Sequence, residues 1–129
     1  MSDRQIAPVT KRLLRGREFI ADQKNWCAEG EGIVGLRENP DGSQAGCILQ
    51  ALNITFARDT GKHSTIVDTS NCDDPDLVAH TLARNALIEA AGGVPYDIMP
   101  VVRVNRQGHE AAMALYDKAI GISIMENAK

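Results

Sequence analysis

Aromatic side chains are scarce in this 129-residue chain: one Trp, two Tyr and two Phe, 4% in all. Cysteine is equally sparse. Cys27, Cys47 and Cys72 are odd in number and widely separated, which excludes a disulfide framework and points to a reducing compartment. No run approaches eighteen apolar residues, so a membrane-spanning helix is not expected. No apolar stretch precedes a cleavage-like site, which predicts no secretory leader and a cytoplasmic location. Phosphate cradles of the GxGxxG or GxxxxGK type are missing, and Gly30, Gly32 and Gly35 have the wrong spacing for one. Nor do Cys27, Cys47, Cys72, His63, His80 and His109 include a close-spaced ligand pair of the kind zinc sites use, so neither metal nor cofactor is expected.

What remains is ordinary for a globular domain: 43% apolar and 24% charged residues, with a net charge of -3. A chain of this mass buries about two-thirds of its extended surface, enough for one core. The pattern predicts an all-α or mostly α fold: about four helices in one compact domain over 1–129, with long loops, room for one short β-hairpin, and residues 1–9 as a flexible arm. A first helix is expected over 11–22, capped by Thr10. Gly16 weakens its middle unless close packing needs the missing side chain. Asn39–Pro40–Asp41–Gly42 reads as a turn. Ser43 is the expected cap of a second helix over 44–57. Asp74–Pro75 is the clearest start signal, Asp capping and Pro occupying the first helical position, for a third helix ending before Gly92–Gly93. Pro95 and Pro100 bracket a connector, the β-branched run Val101–Val104 reads as a short strand, and a last helix is expected from 107 or 108 to 125.

Three constellations carry candidate chemistry. Arg4, Lys11, Arg12, Arg15 and Arg17 give the N-terminus a basic face, read either as a solvated helix side or as a surface for nucleic acid or an acidic partner. An acidic pole, Asp68, Asp73, Asp74 and Asp76, lies opposite without a base in the stretch. His80 stands four residues after Asp76 and four before Arg84, spacing that reads as a surface ladder or, with a partner from another helix, as an oriented general base. Finally, Asn105–Arg106–Gln107–Gly108–His109 leads into the last helix. A first-turn His109 sees the positive end of the helix dipole, which favours a neutral ring. Asn105 and His109 then either lock this segment in place or join residues near Trp26 in an active site, with Asp117 two turns on, or a loop carboxylate, as orienter.

The segments Ile20–Cys27, Gly46–Leu52, and Val104–Glu110 leading into Ala114–Ile120 resemble a family of small bacterial and phage proteins of uncharacterised function. The resemblance makes Trp26, Cys47, Ala51, Leu52, Asn105, His109, Asp117, Ala119 and Ile120 the signature positions. Gly46 and Arg106 depart from it, standing where members carry a bulky and an acidic residue. It implies a helical fold and draws attention to Trp26, Asn105 and His109, but implies no reaction. The leading functional expectation is a non-enzymatic accessory or regulatory binding module, of phage or mobile-element type, that acts on a protein partner or on itself as a homodimer. The alternatives are a small cofactor-independent hydrolase or transferase with His109 as general base, and binding of nucleic acid through the basic helix.

Overall fold

The structure is a computed structural model that describes residues 7–28 and 36–127. Among these it holds five helices and one two-stranded hairpin: α1 Pro8–Ala21, a 3₁₀ turn at Gln23–Asn25, β1 Leu36–Glu38, β2 Gln44–Gly46, α2 Ile48–Thr60, α3 Pro75–Ala90, α4 Met99–Arg106 and α5 His109–Asn127. The mostly helical expectation holds, with one more helix than expected. The core forms where α1 packs against α2, α3 and α5, and Leu13, Ile20, Ile48, Leu52, Leu87, Ile88 and Tyr116 lie fully buried there.

Helix α1 begins at Pro8, not Lys11, so residues 8 and 9 are no arm; Arg4 and the rest of 1–6 lie outside the described residues. Proline's fixed φ and absent N–H suit the first helical position, and that signal outranked Thr10. Thr10 is instead a buried tie: its Oγ1 lies 2.8 Å from Ser123 Oγ of α5. Gly16 lets α1 pack closely against α5. A Cβ there would stand 2.9 Å from ring carbons of Tyr116, whose buried hydroxyl donates to the Ile48 carbonyl at 2.7 Å.

The Asn39–Gly42 turn forms as read, with Gly42 at φ +86° and its N–H on the Asn39 carbonyl at 2.9 Å. It closes the antiparallel pair of β1 and β2, in register Leu36 with Gly46. Residues 44–46 are therefore strand, and Ser43 caps nothing: its N–H and hydroxyl both donate to Asp41 in the turn. Helix α2 starts four residues later than expected, behind Cys47, which gives it no side-chain cap. Helix α3 starts as read, with the Asp76 N–H on the Asp74 carboxylate at 2.9 Å.

The largest misreading is Val101–Val104, which is helix α4 and not a strand. Pro100 opens this helix, and Val101, Val102 and Asn105 form its buried side. The spacing of one and four residues is helical, and burial of that face outweighs the β preference of three valines. Gly108, at φ +132°, provides the bend between α4 and α5.

Candidate functional site

Two polar sites sit inside this frame, and they are built on opposite principles. The first gathers Trp26, Asn105 and His109. Asn105 is buried on α4, and its Oδ1 accepts from the Trp26 indole N–H at 2.9 Å and from the Ile48 N–H at 3.1 Å. Its Nδ2 donates to the carbonyls of Cys27 at 3.1 Å and Ala28 at 3.0 Å. An amide offers two acceptor and two donor positions, and here all four are used. Asn105 thus supplies, from another helix, the cap that α2 lacks in its own sequence. The void beside it, between Cys47, Leu49, Val101 and Val102, is only about 10 Å³, at the lower limit for one water.

His109 opens α5, and its Nε2 lies 2.6 Å from the Ile20 carbonyl at the end of α1. A carbonyl only accepts, so that nitrogen carries a proton. The ring meets the Trp26 indole edge-on, centroids 5.5 Å apart. Asp117 does not join them: it accepts from Arg17 on α1 at 2.5 Å. The structure therefore brings together Trp26, Asn105 and His109, while Asp117 makes an ion pair instead of orienting the imidazole.

The basic face of α1 is largely spent on the protein's own carboxylates. Arg12 is buried and pairs with Asp59 of α2. Arg15 reaches the same carboxylate at 2.9 Å and Glu18 at 2.7 Å. These two guanidiniums, Arg15 foremost, pull the Asp59 pKa down to about 2. With Arg17 on Asp117, only Lys11 of the described basic residues in this run is without an ion pair. The acidic pole is partly neutralised too, because Lys62 reaches Asp74 at 3.1 Å and Asp76 at 2.8 Å.

The second site centres on His80, and there the surface-ladder expectation fails. The residue is 0% exposed, its ring tilted against Phe56 with centroids 4.7 Å apart. Asp76 turns away to Lys62. Neither Nδ1 nor Nε2 of His80 has a hydrogen-bond partner among the described residues. Burial, then the positive charges of Arg84 and Arg12, hold its pKa down at about 4, so the ring is neutral near pH 7. The missed signal was the stripe Ala79, Ala83, Ala86, Leu87 and Ala90, all buried on α3; His80 precedes Ala83 by three residues and Leu87 by seven, so it belongs to the core-facing side.

Arg84 lies one turn further along α3. It is half-buried, with its pKa lowered by that burial. No salt bridge or hydrogen bond engages it among the described residues. His80 and Arg84 share a cleft of about 120 Å³ with Asn53 and Leu49 of α2 and with Ser64 and Ile66 of the following loop. A larger, open and mostly apolar cleft of about 490 Å³ lies between the start of α1, α3 and the end of α5, rimmed by Leu82, Val94 and Glu126.

Among the described residues, no group of three His, Cys, Asp or Glu side chains is placed to hold a metal ion. No described helix is long and apolar enough to cross a membrane. Cys27 and Cys47 are buried thiols; burial foremost raises the Cys27 pKa, so it stays protonated and unreactive. Searches of known families, curated proteins and solved structures return no match for this chain, and its function is argued from these sites alone.

Proposed function

We propose that this protein is a non-enzymatic binding module with an accessory or regulatory role. One observation carries this reading: Asn105, His109 and Asp117, offered by the sequence for catalysis, are consumed by the fold. All four hydrogen-bonding positions of Asn105 go to the indole and the backbone. His109 holds the Ile20 carbonyl, and its expected orienter Asp117 is engaged by Arg17. A general base must reach the proton it removes with a free lone pair and a partner that sets its tautomer. The Nε2 of His109 is occupied, so a general-base role would fall to Nδ1 without that carboxylate. Binding of a polyanion through α1 is disfavoured on similar grounds, since Arg12, Arg15 and Arg17 each face a carboxylate.

The test is turnover of p-nitrophenyl esters and phosphates by the protein and by His109→Gln. The reading expects neither to exceed buffer, and it expects the variant to melt at a lower temperature. Turnover that His109→Gln abolishes while the fold persists would overturn it and restore the hydrolase alternative.

A further inference from the structure

We infer that the cleft between α2, α3 and the loop after α2 binds a small monocarboxylate, its carboxylate held by Arg84 and His80 and its short apolar body set against Leu49 and Ile66. This rests on the reading of the protein as a binding module and names a site and a ligand class for it.

Two polar groups at this cleft lack partners among the described residues. A fully buried imidazole lines the cleft with neither nitrogen hydrogen-bonded among the described residues. Buried polar groups almost always have a partner, because leaving one without costs its full desolvation. Beside it, a half-buried guanidinium lacks the carboxylate that each ion-paired arginine of α1 has. Folding retains both groups at one cavity: Arg84 is open to it, while His80, 0% exposed, meets a ligand only once its ring turns into the cleft, and one ligand then satisfies both.

The chemistry of the lining selects that ligand. None of the six residues is acidic, so a cation gains nothing there. Arg84 offers a planar fork of donors, and a neutral imidazole offers one N–H whichever tautomer it adopts. Ser64 adds a hydroxyl with no partner among the described residues, and Asn53 has an amide N–H to spare beyond its 3.2 Å bond to Gln50. One fixed positive charge and neutral donors match a single negative charge spread over two oxygens. A phosphate dianion would bring a second charge into a half-buried site with no second cation in its lining. The volume, about 120 Å³, is that of about four waters, enough for a carboxylate and a few methylenes. Leu49 and Ile66 provide the matching apolar surface.

The full-length protein, with histidine rings labelled with ¹⁵N, is titrated with acetate, butyrate, inorganic phosphate and n-butanol. His63 is exposed and His109 lies at the other site, so both serve as internal controls. Butyrate is expected to move the His80 ring signals alone, more strongly than acetate, with millimolar affinity. Arg84→Gln should weaken this binding about tenfold, the value of one charge-assisted contact, and Arg84→Lys by less. Melting curves check that each variant folds, and the wild-type titration stands even if a variant does not. No movement of His80 with any anion would overturn the site. Movement by phosphate as strong as by butyrate, or by n-butanol as strong, would overturn the monocarboxylate assignment. Unchanged butyrate affinity in folded Arg84→Gln would overturn the role of Arg84. Conversion of butyrate to a product, followed by proton spectra of the same samples, would instead overturn the non-enzymatic reading while leaving the site in place.

Discussion

The Asn105 node and the His80 cleft are both polar sites set into an apolar helical core, yet one is closed and the other open. At the node every donor meets an acceptor within the chain, and three separate segments are tied to α4 and α5 by two side chains. At the cleft a buried imidazole and a half-buried guanidinium have no such partners. A satisfied polar network specifies structure, whereas an unsatisfied one burdens it. The contrast teaches where to seek function: away from the residues that the fold itself uses. His109 and Asn105 attract attention in the sequence, but their geometry is that of fasteners.

The comparison breaks most visibly at Asn105. Replacing it with Ala orphans the indole N–H, the Ile48 N–H and two carbonyls; urea denaturation is expected to show a loss of about 3–5 kcal/mol, since each stranded buried group costs about 1–3. Asn105→Asp keeps the acceptor and loses the two donors, and should fall between Ala and wild type.

The next largest effect is a pH dependence from the open site. The His80 pKa is about 4 in the fold and about 6.5 when unfolded. Between those values the unfolded chain binds more protons, so stability is full above pH 6.5 and falls as pH drops towards 4, by up to about 3 kcal/mol. Urea midpoints across this window should show the slope, and His80→Leu should flatten it. Asp59 acts in a separate, more acidic window. Its pKa is depressed to about 2, so its contribution is present above the ordinary carboxylate value and fades as pH falls from there to about 2.

His109→Gln should cost about 1–2 kcal/mol in the same assay, the value of a single short hydrogen bond plus part of an aromatic contact. Arg84→Gln sets the lower end, within about 0.5 kcal/mol of wild type, because that side chain engages no partner among the described residues. If Arg84→Gln destabilised the fold as much as His109→Gln, the division between fastening and available residues would not stand.

Much of the frame was legible from local chemistry. Asp74–Pro75 starts α3 and the Asn39–Gly42 turn closes the hairpin, because a cap and a turn are decided by residues within four positions of one another. Val101–Val104 and Ser43 misled for the opposite reason. A run of valines is ambiguous until something covers one face, and α2 is capped by an amide 57 residues away in the chain. His80 misled because polar spacing along α3 was read without the alanine stripe beside it.

By itself the sequence determined a helical chain with one core, one turn and a strong helix start, since those follow from periodicity and short-range hydrogen bonding. Only the tertiary structure decided which polar groups are spent and which are left over. That distinction depends on partners brought from distant segments, which no local pattern encodes.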